Sequence, residues 1–211
     1  MNTIGTLIIA RHHESEWNKL GKWTGVTNVG LTEYGFKMSE KMGELIKDIP
    51  ITEAFASAQI RSLETLICME DGSCIDVPFT RNAALNERDY GEYTGKNKWE
   101  MEELLGEEEF NALRRGWDYP IPGGETLKMV YERIVPFYMQ TILPLLKEGK
   151  NILVVAHGNS LRALIKYIEQ ISDEGMSSVE MPFGAVLIYK VNEEGIMSSK
   201  EVRVVPSEID A

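Results

Sequence analysis

Two short runs of consecutive apolar residues each stop at a histidine. Leu7-Ile8-Ile9-Ala10 ends in Arg11-His12-His13-Glu14, and Ile152-Leu153-Val154-Val155-Ala156 ends in His157-Gly158-Asn159. Apolar runs of this length without alternation predict strands buried on both faces, as in parallel sheets. Elsewhere the apolar spacing is helical. Met38, Met42, Leu45, Ile46 and Ile49 form one stripe behind a Thr32 N-cap and before Pro50. Leu127, Val130, Tyr131, Ile134, Val135 and Tyr138 form a second, opened by Glu125-Thr126 and segmented by Pro136 and Pro144. A third, from about Asn159, carries Leu161, Leu164, Ile165 and Ile168, with Arg162, Lys166 and Glu169 on its opposite face. Strands are expected over residues 53–56, within 76–83 and over 186–191, and helices from Ile60 to about Ser73 and, strongly acidic, over 99–113. Ser172-Asp173-Glu174 reads as a further N-cap, and the tail beyond Glu201 as frayed. This alternation predicts an α/β fold: three α/β/α layers, a mostly parallel sheet with helices on both faces, in one domain over 1–211.

Charge narrows the partners. Against 22 Lys and Arg stand 33 Asp and Glu, a net charge of −11. That argues against nucleic acid or an anionic membrane, while a local arginine cluster can still hold a small anion. The two cysteines, Cys68 and Cys74, match no metal or redox spacing, and no apolar run approaches the roughly 18 residues of a membrane span. A cytoplasmic, soluble protein is expected, and a homo-oligomer stays open.

In open α/β sheets the chemistry sits where strands end. Neutral imidazole is a competent nucleophile toward phosphorus, and the charge that develops on phosphoryl oxygens calls for guanidinium groups and backbone N–H donors. Arg11 and Arg61 each follow an expected strand, and the helix opening near Asn159 offers an anion site beside His157. The segment Leu85 to Lys98 is dense in functional side chains and reads as a surface binding loop, with Glu87 as the best-placed general acid and Glu14 as its rival. An ion pair with an arginine is the simpler role for Glu14. With three histidines, no His-x-x-x-His and no cysteine pair, no metal site is expected.

These residues resemble the histidine phosphatase superfamily over about Leu7 to Val202. Arg11-His12 with Glu14 to Asn18, Ser57 to Thr65 around Arg61, and His157-Gly158-Asn159-Ser160 carry that likeness. Leu85-Asn86-Glu87-Arg88 with Tyr90-Gly91, then Gly95 to Lys98, and Arg114-Arg115 before the Pro-Ile-Pro stretch are similar to the cofactor-dependent phosphoglycerate mutases, in their short form. The resemblance implies a phosphoglycerate mutase-like fold and interconversion of 3- and 2-phosphoglycerate, small phosphorylated three-carbon acids. It further implies priming by 2,3-bisphosphoglycerate without a metal. By it His12 is the phosphorylated nucleophile and Glu87 the acid and base, while Arg11, Arg61 and His157 hold the phosphoryl group. Asn18 and Asn159 assist them, and Thr24, Gly25, Arg88, Tyr90, Lys98, Arg114, Arg115 and Gly158 bind the substrate.

Four positions depart from the family pattern. His13 stands where glycine is usual, Asp89 replaces a histidine or tyrosine, and Val26 and Asn28 replace Trp and Asp. A non-glycine side chain at a positive φ is strained by about 1 kcal/mol, so His13 is a candidate site of strain. Because successive strand residues point to opposite sides, His12 rather than His13 is expected to face His157. Two other functions compete: a phosphatase using the same histidine, which needs only Arg11, His12, Arg61, Glu87 and His157, and a phosphoester-binding protein that does not turn over. Lys98 and the Arg114-Arg115 pair favour the mutase, which must retain an intermediate and exclude water.

Overall fold

The two apolar runs that end in histidine lie side by side. The computed structural model describes residues 3–206, and in it β1 (Thr3–Arg11) pairs in parallel with β4 (Asn151–Ala156) in the register Ile9 to Val154, Ala10 to Val155 and Arg11 to Ala156. That register leaves His12 and His157 as neighbours just beyond the last pair. The sheet is completed by β2 (Glu53–Ser57), β3 (Phe79–Asn82), β5 (Ala185–Asn192) and β6 (Met197–Val204), in the order β3-β2-β4-β1-β5-β6. The first four strands run parallel, and β5 is antiparallel to both β1 and β6.

Unbroken hydrophobicity in β1 follows from burial on both faces. Leu7 and Ile9 join one core with Val130 and Ile134 of α6 (Leu127–Phe137) and Leu161 and Leu164 of α8 (Gly158–Glu169). Ile8 and Ala10 join the other, with Met38 and Met42 of α2 (Glu33–Glu44) and Leu66 and Met69 of α3 (Ile60–Ser73). This is the three-layer α/β/α arrangement. Gly43 lets α2 and α3 touch: a Cβ there would lie 2.3 Å from the Met69 carbonyl oxygen. A short α1 (Glu16–Lys19), capped by Ser15, follows the first histidine motif. Trp23, Tyr90, Phe110 and Leu113 form a third, smaller cluster under α4 (Lys98–Leu105) and α5 (Glu107–Arg115). No described helix is long and apolar enough to cross a membrane.

Several expectations are corrected. The acidic helix over 99–113 is two helices, broken at Gly106, whose φ of 78° other residues rarely adopt. Around the two prolines the helix passes from α6 into a π-helical turn at Tyr138–Ile142 and on into α7 (Leu143–Lys147). The tail beyond Glu201 is not frayed through Val204, which lies in β6; the part after 206 lies outside the described residues. Arg162 and Lys166 are not on a solvated face but are 7% and 9% exposed. The 85–98 segment is not all surface, since Leu85, Glu87, Arg88 and Tyr90 are buried. His13 is not strained: among described non-glycine residues only Cys74 and Gln170 have positive φ.

Candidate active site

His12 leaves β1 with its ring locked. Its Nδ1 lies 2.7 Å from the His13 carbonyl oxygen, which can only accept, so Nδ1 carries the proton and Nε2 is the unprotonated nitrogen. Arg61 Nε donates toward that Nε2 at 3.3 Å. The His157 ring stands 4.8 Å away, centroid to centroid. His157 Nε2 is 2.7 Å from Ser57 Oγ, which already accepts from the Gln59 N–H at 3.1 Å. In the tautomer in which the serine proton goes to Nε2, the buried, unpartnered His157 Nδ1 is an N–H donor. Burial first, then the Arg61 charge, holds both imidazoles well below their usual pKa, so both are neutral at pH 7.

The arginines stay charged despite burial. Arg61 donates to the carbonyls of Thr27 and Gly25, each at 2.9 Å, and desolvation lowers its pKa only to about 10. Arg11 donates through Nη1 to the Met181 carbonyl at 3.0 Å, and its Nε is buried without a partner. Glu87 is anchored by its own N–H to Gln59 Oε1 at 2.8 Å. Its Oε1 accepts from the backbone N–H groups of Arg88 at 2.8 Å and Asn159 at 3.1 Å, the latter one of the free donors at the start of α8. The rival Glu14 does not line the cleft, and among the described residues no arginine pairs with it: its Oε1 accepts from Thr32 Oγ1 at 2.8 Å.

One cleft of about 120 Å³ gathers these groups. That is below the roughly 300–1,000 Å³ of sites for drug-sized ligands and suits a small one. Arg11, His12, Arg61, Glu87, Asn18 and Thr24 line it, as do Gly25, Tyr90, Lys98, Arg114, Arg115, Gly158 and Asn159. Two expected residues do not line it. His157 stands behind His12, and Arg88 is a wall strut, fully buried, donating to the Leu113 carbonyl at 2.9 Å and stacking 4.6 Å from the Tyr90 ring. Lys98 is pushed down to about 8 by desolvation and then by Arg11 and Arg114.

Trp23, Arg162, Glu180 and Met181 also line the cleft, and sequence reasoning missed them. Arg162 grips the segment before β5 through the carbonyls of Val179 at 2.9 Å and Met176 at 2.6 Å, and donates to Asn159 Oδ1 at 2.9 Å. The signal for it was available, because residues three apart on a helix share a face and Asn159 was already assigned. Glu180, ion-paired with Arg115, carries no such signal. The donors left unpaired at the site, Arg11 Nε, Thr24 Oγ1 and His157 Nδ1, suit an anionic ligand.

A family model for the histidine phosphatase superfamily (branch 1) matches residues 7–201. A 2,3-bisphosphoglycerate-dependent phosphoglycerate mutase of Parvibaculum lavamentivorans is 39% identical, over 94% of this chain and 96% of its own. Another, of Beijerinckia indica, is 40% identical over 93% and 96%. Among solved structures, Bacillus stearothermophilus YhfR superposes with a TM-score of 0.78 at 25% identity, covering 95% of this chain and 96% of that one. A mycobacterial glucosyl-3-phosphoglycerate phosphatase shares the fold, with a TM-score of 0.76 at 17% identity over 96% and 99%.

Proposed function

The chain belongs to the histidine phosphatase superfamily, and within it we propose a 2,3-bisphosphoglycerate-dependent phosphoglycerate mutase that interconverts 3- and 2-phosphoglycerate through a phosphohistidine at His12. The observation that carries this reading is a second cationic group beyond the phosphoryl-transfer set. Arg11, His12, Arg61, Glu87 and His157 suffice for hydrolysis. Lys98, Arg114, Arg115 and Arg162 line the same cleft in addition, and would hold a second anionic group of a small acid while the phosphoryl group changes carbon.

The roles follow from the geometry. His12 Nε2 attacks phosphorus, because it is the unprotonated nitrogen, the ring proton being held on Nδ1 by the His13 carbonyl, and the long 3.3 Å bond from Arg61 Nε gives way as phosphorus approaches. Arg11 and Arg61 meet the charge spread over the equatorial oxygens, and His157 backs the His12 ring. Glu87 gives the leaving oxygen its proton and takes one from the returning hydroxyl, its Oε1 tied to two backbone donors. The unpaired Arg11 Nε, Thr24 Oγ1 and His157 Nδ1 fit 2,3-bisphosphoglycerate, which when bound supplies the phosphoryl group that primes His12. The setting is cytoplasmic glycolysis and gluconeogenesis, with small phosphorylated three-carbon acids as the partners.

The test is incubation with 3-phosphoglycerate, with and without 2,3-bisphosphoglycerate, following 2-phosphoglycerate and free phosphate together. Isomerisation stimulated by the bisphosphate with little free phosphate supports the mutase. Free phosphate as the main product identifies a phosphatase, and binding without either product a non-catalytic phosphoester-binding protein.

A further inference from the structure

We propose that Phe183, braced by His13, is a positioning residue that sets the plane of the Arg11 guanidinium. The proposal rests on the reading above only in requiring Arg11 to grip a phosphoryl group. Arg11 stacks on the Phe183 ring with its central carbon 3.8 Å from the ring centroid. Its Nη1 is tied to the carbonyl of Met181, two residues earlier in the same turn. Face and edge of the guanidinium are thus both referenced to one turn, and the remaining N–H groups are left for a ligand.

That turn needs support, because Phe183 is 36% exposed and Gly184 adopts a φ of +72°. His13 supplies it. Its Nδ1 accepts from the Glu14 N–H at 2.8 Å, which fixes the ring, and the ring lies 5.5 Å from Phe183 at an interplanar angle of 37°. Tyr34 closes the other side edge-on, also at 5.5 Å. Phe183 in turn meets the His12 ring at 6.1 Å. His13 therefore serves the site twice: its carbonyl sets the tautomer of His12, and its side chain holds the platform under Arg11. A glycine at 13 would keep the first role and lose the second.

The experiment compares wild type with Phe183→Ala, Phe183→Leu, Phe183→Tyr and His13→Gly. It measures orthovanadate affinity by calorimetry, kcat and KM for 3-phosphoglycerate, and the melting temperature. A half-buried cation–ring contact predicts a loss of roughly five- to thirtyfold in vanadate affinity and kcat for Phe183→Ala, with KM nearly unchanged. Phe183→Leu should resemble Phe183→Ala at an unchanged melting temperature, and Phe183→Tyr should restore the wild-type values. His13→Gly and Phe183→Ala should be non-additive when combined. Phe183→Ala with unaltered vanadate affinity and kcat overturns the inference, as does Phe183→Leu at wild-type level, or a wild type that binds no vanadate. A wild type that binds vanadate, loses it in Phe183→Ala and yet does not isomerise 3-phosphoglycerate overturns the mutase and supports the inference.

Discussion

Lys98 offers the sharpest test of how the cleft holds its ligand. Its charge titrates near neutrality, at about 8, because burial removes its hydration and Arg11 and Arg114 repel it. Lowering the pKa of an amine favours its neutral form as pH rises, so the protein is binding-competent below that value and loses the charge above it. With a pKa of about 8, roughly nine-tenths of the free protein carries the charge at pH 7 and roughly one-tenth at pH 9. If only the charged form binds well, KM for 3-phosphoglycerate should rise about tenfold across that interval while kcat stays level. A charge-assisted contact is worth about 1.5–3 kcal/mol, so losing it can supply a tenfold change. Arg61 and Arg162, both held at about 10, titrate later and leave the window clear. The assay is steady-state isomerisation between pH 6.5 and 9.5 for wild type, Lys98→Arg and Lys98→Met. Lys98→Arg should flatten the KM profile, because a guanidinium keeps its charge there. Lys98→Met should raise KM at pH 7 and be flat as well. A flat wild-type profile, or a Lys98→Met profile that keeps the slope, refutes the assignment.

Other expectations follow from the same cleft. Glu87→Gln should lower kcat by about 10²–10⁴, the usual worth of general acid–base catalysis, with little change in KM; an unchanged kcat in steady-state assays would remove Glu87 from the proton transfer. Because His12 and His157 are held well below the ordinary histidine value, protonation should silence the nucleophile only on the acid side of pH 6.5; a kcat/KM that falls steadily from pH 7.5 to 6.5 with a midpoint at the ordinary histidine value would contradict that. Glu180→Gln should free Arg115 for the ligand and lower KM by roughly two- to fivefold, the worth of an exposed ion pair; a raised KM in the same assay would mean that Glu180 contacts the ligand itself.

The sequence displayed the histidine pair more readily than its surroundings, for physical reasons. Leu7 to Ala10 are buried on both faces, so their hydrophobicity announces a central strand and the histidine after it. β6 is the opposite case. Met-Ser-Ser-Lys-Glu-Val-Arg-Val is exposed along most of its length and shows no alternation, and it is a strand because β5 offers it a free edge. Arg162 was assigned to solvent because a helical stripe reports only the face against the sheet, whereas the segment before β5 folds back over the other face. The buried interior of the 85–98 segment was hidden for a similar reason. Arg88 and Glu87 are polar, yet they are enclosed by partners brought from Leu113, Gln59 and Asn159.

The parallel pairing of β1 with β4 has a consequence for the order of assembly. His12 and His157 touch although 145 positions separate them in the chain (157 − 12). Closing so long a loop is entropically unfavourable until the central pair forms, and contacts of high sequence separation form slowly. The α2–α3 pair and the β5–β6 hairpin need no such closure. On dilution from denaturant, helical dichroism should therefore recover ahead of the ability to bind vanadate, and regained affinity serves as a clock for the last step of folding.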